Sequence, residues 1–148
     1  MSLQEQVTQQ LKTAMKAKDS VALESLRAIK SAILLTQTQA GAKDLTADDE
    51  IKLVQKLVKQ RKDSAEIFRE QGRLDLAEPE EAQIKIIEQF LPEQLDEAAI
   101  AEIIEGIIAQ TNADGMKDMG KVMGMATKAM AGKADGKTIS AIVRQKLA

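Results

Sequence analysis

The fold is decided by one long stretch, residues 46–72, which read TADDEIKLVQKLVKQRKDSAEIFREQG. Thr46 followed three residues later by Asp49 has the form of a capping box, and Gly72 suits the residue that follows a helix. Between these two signals the apolar residues recur with the spacing of a helix rather than a strand. They are Ile51, Val54, Val58, Ala65 and Phe68. The stretch therefore predicts one long amphipathic helix.

Two further helices are expected before this stretch. Ser2 can cap the first, and an apolar residue at every fourth position is taken as its inner face. The second is expected from about Ser20 to Ala40, followed by a polar loop that ends at Lys43. Leu34 and Leu35 are expected to widen its inner face, which would make it the most buried helix. The two inner faces consist of Leu3, Val7, Leu11 and Met15, and of Leu26, Ile29 and Ile33.

Four more helices are expected after the stretch. Pro79 suits the first turn of a fourth helix, and Pro92 is expected to end it. The segment 91–96, LPEQLD, is taken as a domain boundary, with Asp96 capping a fifth helix and Asp135 capping a seventh. The expected fold is all-α, with about four helices in an N-terminal domain (1–95) and a three-helix bundle in a C-terminal domain (96–148).

The composition narrows the possible functions. The chain contains neither histidine nor cysteine, which excludes Ser-His-Asp and Cys-His catalysis and thiolate metal sites. No pair of carboxylates stands out as an acid–base couple. We therefore name no catalytic residue and expect no metal and no cofactor. No apolar run is long enough to span a bilayer, and the polar N-terminus does not resemble a secretory signal. We expect a soluble cytoplasmic protein without a membrane partner.

Charge is distributed unevenly along the chain. The net charge is −2, but the residues from 112 onward carry seven basic groups against three acidic ones, a local charge of +4. A basic face rather than a basic average is what a polyanion requires. The candidate nucleic-acid-binding residues are Lys117, Lys121, Lys128, Lys133, Lys137 and Arg144. A second basic face lies on the long helix and is either an ordinary solvated surface balanced by neighbouring acids or a second surface for RNA or a partner. It comprises Lys52, Lys56, Lys59, Arg61 and Lys62.

Glycine and methionine mark the same C-terminal region. Gly120 and Gly124 lie four residues apart in a predicted helix, where each costs about 1 kcal/mol relative to alanine. They indicate close approach either of a second helix or of a ligand, and Gly132 and Gly136 flank the next loop. Five of the seven methionines fall between residues 116 and 130. They fill a small core or form an adaptable peptide surface, and Met125 is the one that lies off the buried stripe.

Several of these motifs together resemble the GatB/YqeY family. They are IKLVQKLVKQRKDSAEIFREQGR (51–73), DLAE (75–78), FLPEQL (90–95), MKDMGKVMG (116–124) and GKADGKTISAIVRQKL (132–147). The chain resembles a YqeY-like protein over nearly its whole length, and residues 96–148 also resemble the tail of GatB, a subunit of the glutamine-dependent tRNA amidotransferase. The resemblance implies a helical domain followed by a small helical bundle that is associated with tRNA rather than with the chemistry.

The resemblance places Lys117, Lys121, Lys133 and Lys137 within the matching motifs as candidate RNA contacts. It implies a non-catalytic protein whose partners are tRNA and amidotransferase or aminoacyl-tRNA synthetase components. The absence of tyrosine and tryptophan leaves backbone and shape recognition rather than base stacking. Two alternatives stay open: a protein–protein adaptor that uses a methionine-containing patch on the tail, and an accessory that activates an amidotransferase in trans.

Overall fold

A computed structural model describes residues 1–39, 41 and 44–148, and all regular structure in this range is helical. The expected all-α fold is therefore confirmed. The ends predicted at Ala40 and Lys43 lie outside the described residues. The chain divides into two compact units, Met1–Leu91 and Pro92–Ala148. The helices are α1 (Leu3–Ala17), α2 (Ser20–Gln39), α3 (Ala47–Glu70), α4 (Leu74–Glu88), α5 (Glu97–Thr111), α6 (Met119–Ala129) and α7 (Gly136–Leu147), and a 3₁₀ turn (Met116–Asp118) precedes α6.

The long stretch forms α3 with the predicted ends. The Asp49 backbone N–H donates to Thr46 Oγ1 at 3.1 Å, and the Thr46 N–H donates to Asp49 Oδ2 at 3.0 Å, which completes the capping box. The hydrogen bond from the Thr46 backbone lowers the pKa of the Asp49 carboxyl, and the Thr46 hydroxyl and Lys52 add to the effect. Gly72 adopts a left-handed φ of +73°, which directs the chain into α4.

The core of the first unit differs from the expectation at α1. Leu3, Val7 and Leu11 are buried as predicted, but Ala14 takes the fourth position and Met15 is 54% exposed. A spacing of four residues advances about 40° per step beyond a full helical turn, so after three steps it has left the inner face. The prediction for Met15 was wrong because it followed a period of 4.0 rather than 3.6.

Helix α2 is less buried than predicted. Leu26, Ile29 and Ile33 point into the core, whereas Leu34 and Leu35 are 49% and 61% exposed. Each residue turns the side chain by about 100°, so the two positions after Ile33 face away from the stripe. The prediction that Leu34 and Leu35 widen the inner face was therefore wrong, although α2 still has more buried residues than any other described helix.

Helix α4 begins earlier than its proline indicated. The Arg73 carbonyl accepts hydrogen bonds from the N–H groups of Leu76 and Ala77, at 3.1 and 3.0 Å, so the first turn forms directly after Gly72. Pro79 therefore lies inside the helix, where it removes one main-chain hydrogen bond. Burial of Ala77 accounts for the early start, because it draws the turn before the proline into the interior. The helix ends at Glu88, shortly before Pro92 as predicted.

The second unit is a three-helix bundle with the predicted caps. Asp96 Oδ1 accepts from the Ala99 N–H at 2.8 Å, and Asp135 Oδ1 accepts from the Thr138 N–H at 2.7 Å. Each cap satisfies an amide that would otherwise lack a partner at the start of a helix. Its core consists of Ile100, Ile104, Ile107, Val122, Ala126, Met130, Ala134, Ile139, Ile142, Val143 and Leu147.

Candidate nucleic-acid interface

Helix α6 has one face in the core and one face in solvent. Val122, Ala126 and the following Met130 are completely buried. Gly120 and Gly124 lie on the exposed side together with Lys121 and Lys128. The helix therefore presents a surface with two cations and two positions that carry no side chain.

The two glycines of α6 are not explained by packing within the chain. An added Cβ at Gly120 or Gly124 would meet no heavy atom within 4 Å among the described residues outside the local helix backbone. Of the two explanations that the sequence left open, close approach of a neighbouring helix in this bundle therefore does not hold. Approach by a bound molecule remains an explanation for both positions.

An open groove of about 760 Å³ runs along this face. Besides the glycines and lysines, its walls include Met123 and Met125, which are half-buried against the core of the second unit. Thr127 and Ala131 complete the lining, and neither was singled out from the sequence. Thr127 lies one turn beyond Gly124 on the same side of α6, and this spacing is the signal that would have identified it.

The exposed basic groups of the second unit are mostly unpaired. Within the described part of the chain, no ion pair engages Lys117, Lys121, Lys128, Lys133 or Arg144, all of which are exposed. Lys137 is exposed in the first turn of α7. Lys146 contrasts with them, because its Nζ lies 2.6 Å from Glu105 Oε1 on α5.

The loop between α6 and α7 is held by hydrogen bonds to two of its backbone carbonyls. Gly132 adopts a left-handed φ of +78°, and its carbonyl accepts from Gln94 Nε2 at 2.7 Å. The Lys133 carbonyl accepts from the Leu95 N–H at 2.9 Å. Gly136 is the first residue of α7, with open space around an added Cβ. These hydrogen bonds fix the loop while leaving the Lys133 side chain exposed.

The secondary basic face on α3 separates into two groups. Arg61 donates from Nε to Gln83 Oε1 at 2.9 Å, and Lys62 Nζ lies 3.6 Å from Glu88 Oε1, so both connect α3 to α4. Arg61 is also half-buried. The other three members, Lys52, Lys56 and Lys59, are exposed. The five residues therefore do not form one uniform binding face, because two of them contribute to the helical hairpin.

The remaining features of the described residues concern acidic groups, helix lengths and a pocket in the first unit. Among residues 1–39, 41 and 44–148, no group of three or more acidic side chains is arranged to hold a metal ion. No helix in the same ranges has the length and apolar character needed to cross a membrane. A small pocket of about 290 Å³ in the first unit contains Glu50, whose Oε2 accepts from the Leu3 N–H at 2.9 Å. Through this hydrogen bond Glu50 helps to cap the start of α1.

Fold and surface together define a small all-α protein of two helical units, the second of which carries an exposed basic surface. The chain belongs to the Yqey-like protein family, whose family model matches residues 4–147. The predicted family resemblance is thereby confirmed over nearly the whole chain.

The curated relatives include mitochondrial proteins and amidotransferase subunits. "Altered inheritance of mitochondria protein 41, mitochondrial" of Pyrenophora tritici-repentis is 32% identical over 127 residues, covering 84% of this chain and 68% of the relative. The protein of the same name in Lachancea thermotolerans is 43% identical over 93 residues, covering 63% of this chain and 49% of the relative. A glutamyl-tRNA(Gln) amidotransferase subunit of Thermococcus gammatolerans is 33% identical over 104 residues, covering 68% of this chain and 17% of the relative.

These relatives correct one expectation and extend another. The prediction of a cytoplasmic location is wrong, because several relatives are named as mitochondrial proteins. The match to the amidotransferase relative from Thermococcus gammatolerans covers 68% of this chain. Residues 96–148 make up only about a third of the chain, so the match must include part of residues 1–95. The similarity to amidotransferases is therefore not confined to the tail.

Proposed function

We propose that the chain is a non-catalytic, tRNA-associated protein that works in the context of tRNA-dependent amidotransferases. The second unit holds the tRNA backbone through its exposed basic side chains. One observation carries the proposal. Four lysines and one arginine of the second unit have no ion pair in the described chain, although acidic residues lie in the same unit. The set comprises Lys117, Lys121, Lys128, Lys133 and Arg144, and Lys137 is added from its position beside Asp135 at the start of α7.

Phosphate contact is the recognition mode that fits this surface. The chain has no tyrosine or tryptophan, and its two aromatic residues, Phe68 and Phe90, both lie in the first unit. The second unit therefore has no aromatic side chain on which a base can stack. Lysines contact phosphates as point charges and carry little sequence information. The interaction should consequently depend on RNA shape and charge and weaken steeply with salt.

The comparisons support the amidotransferase context in general terms. Two relatives are named as glutamyl-tRNA(Gln) amidotransferase subunits, of which the chain spans 17% and 20%. A chain without histidine or cysteine lacks the common acyl-transfer constellations. We therefore assign it an accessory role beside amidotransferase or aminoacyl-tRNA synthetase components, and we interpret residues 96–148 as a module like the GatB tail.

The proposal is tested by fluorescence anisotropy of labelled bulk tRNA titrated with the whole chain. We expect micromolar binding that weakens at least about tenfold between about 50 and about 200 mM salt. Lys133→Glu with Lys137→Glu should remove this binding without reducing helicity. The matched control is Lys56→Glu with Lys59→Glu, which makes the same change in charge on the first unit and should preserve binding.

Two results would contradict the proposal. Absence of tRNA binding at tens of micromolar protein would remove the RNA function altogether. Retention of binding in the Lys133/Lys137 variant, together with loss in the Lys56/Lys59 variant, would transfer the contact to α3. Circular dichroism of each variant establishes that loss of binding is not loss of fold.

A further inference from the structure

The exposed face of α6 is unusual because it carries two glycines, which lower helix stability and do not improve packing within the described chain. Glycine is among the weakest helix formers, and Gly120 and Gly124 both occupy exposed helical positions with open space around an added Cβ. Alanine would fit at either position. These two glycines also line the groove of about 760 Å³. The groove and the two glycines therefore belong to the same exposed surface of α6.

We propose that this groove binds an amphipathic helix of a partner protein whose acidic side chains, two turns apart, pair with Lys121 and Lys128. The proposal goes beyond the tRNA function and does not rest on it, although the partner helix would compete with tRNA for Lys121 and Lys128. Lys117, Lys133, Lys137 and Arg144 remain available to RNA when the groove is filled.

The dimensions of the surface favour a helix as the occupant. Helices pack at interaxial distances of about 8–10 Å that depend on the side chains at the contact, so the missing side chains at Gly120 and Gly124 permit a close crossing. Lys121 and Lys128 are seven residues apart, which is about 10.5 Å along α6. Acidic residues at positions i and i+7 of a partner helix have the same spacing. Neither lysine has an ion pair within the described chain, so both are available to these acids.

The lining favours protein over RNA. Met123 and Met125 contribute flexible thioether side chains to the walls, and Ala131 adds a further apolar surface. Methionine-containing surfaces adapt to apolar side chains of different shapes, which is the property of a helix-binding groove. A phosphate backbone would meet the two lysines but would leave these apolar walls uncovered.

A second copy of the chain is a poor occupant of this groove. In a symmetric dimer through α6, each copy presents the same patch to the other. Each copy would then bring the positive charges of Lys121 and Lys128 into the same interface, and like charges in one interface disfavour association. An acidic partner helix removes this repulsion and replaces it with attraction.

The test uses two labelled synthetic helical peptides and the whole chain. Both peptides have a leucine-and-alanine face. One carries glutamates seven residues apart, and the other carries lysines at the same two positions. Anisotropy titration should show binding of the glutamate peptide and at least about tenfold weaker binding of the lysine peptide. Lys121→Glu with Lys128→Glu should reverse this preference.

The glycines are tested with larger side chains. Gly120→Leu with Gly124→Leu fills the floor of the groove and should abolish peptide binding. The matched control is Gly106→Leu, because Gly106 is also an exposed helical glycine of the second unit with open space around it but lies on α5, away from the groove. This control should bind the glutamate peptide like the unaltered chain, and circular dichroism verifies that both variants are folded.

Several outcomes would overturn the proposal. Failure of both peptides to bind would do so, as would unchanged glutamate-peptide binding in a folded Gly120/Gly124 leucine variant. If that variant loses bulk tRNA binding and keeps peptide binding, the occupant is RNA. If sedimentation shows a dimer that the leucines dissociate, the occupant is a second copy.

One further outcome would support the proposal. Loss of tRNA binding in the Lys133/Lys137 variant with peptide binding retained would separate this site from the proposed RNA site.

Discussion

Replacing Gly120 and Gly124 with alanine should stabilise the protein, although the two glycines lie in the surface that we assign to binding. Both are helical and exposed, and an added Cβ meets nothing within 4 Å. The preference of a helix interior for alanine over glycine is about 1 kcal/mol per residue, and Gly120 lies in the first turn of α6, so the double variant should gain about 1–2 kcal/mol. For a chain of 148 residues each kcal/mol raises the melting temperature by roughly 2–4 °C.

The assay is urea unfolding followed by far-UV circular dichroism, because the chain contains no tryptophan or tyrosine for intrinsic fluorescence. Gly115→Ala is the matched control in the same unit. Gly115 also has open space around an added Cβ, but its φ is +74°, a left-handed conformation that costs a non-glycine residue about 1–2 kcal/mol. The same substitution should therefore destabilise the protein at this position.

The opposite signs expected at the two kinds of position make the experiment decisive. A gain at Gly120 and Gly124 together with a loss at Gly115 would show that backbone conformation governs both effects. A loss at all three positions would refute the reasoning, because it would mean that an added Cβ on α6 meets atoms of the folded protein. Hydrogen exchange of peptides from α6 would then locate the disturbance.

The remaining predictions concern the first unit. Arg69 forms a two-point ion pair with Glu81 that lowers the pKa of that carboxyl below its ordinary value of 4.5, so its contribution to stability is complete above pH 4.5 and is lost as the pH falls through the lowered pKa. Thermal melts of Glu81→Gln should accordingly show a weaker loss of stability at acidic pH than melts of the unaltered chain, and identical pH profiles would contradict this. Leu35→Gln should change the free energy of unfolding by less than about 0.5 kcal/mol because Leu35 is 61% exposed, whereas Ile29→Ala should cost about 2–5 kcal/mol in urea titrations. Equal losses at the two positions would mean that the inner face of α2 is misassigned.

The sequence predicts the helices well where a local chemical signal marks their ends. The capping residues Thr46, Asp96 and Asp135 all perform the role expected of them, because a cap depends on only three or four consecutive residues. Pro79 indicated the wrong start for α4 because proline at a first turn is a preference and not a requirement. The burial of Ala77, which depends on the other helices, decided where α4 begins.

The sequence singled out the glycines and lysines of the candidate surface, but not Thr127 and Ala131 and not how these residues are arranged. The pair Gly120 and Gly124 was identified through spacing alone, yet the sequence could not distinguish a packed glycine from an exposed one. That distinction depends on which face of α6 the core selects, and Val122 and Ala126 decide it through their burial. The basic face on α3 illustrates the same limit, because the hydrogen bond between Arg61 and Gln83 joins residues 22 positions apart.

The groove beside Lys121 and Lys128 is the strongest argument for placing the interface on the second unit, because Lys52, Lys56 and Lys59 on α3 also have no ion pair within the described residues. On α3, Lys62 would have to exchange Glu88 for a phosphate or a partner carboxylate, so binding there gains only the difference between two similar contacts. Lys121 and Lys128 have no ion pair in the described chain. A new ion pair with a ligand therefore adds to the binding free energy without the loss of an existing contact. They also border the open groove on the exposed side of α6. The two lysines form no ion pair that would stabilise the described fold, and they lie beside two glycines that do not pack inside the chain. Binding of an external partner explains both features, whereas folding of the chain explains neither.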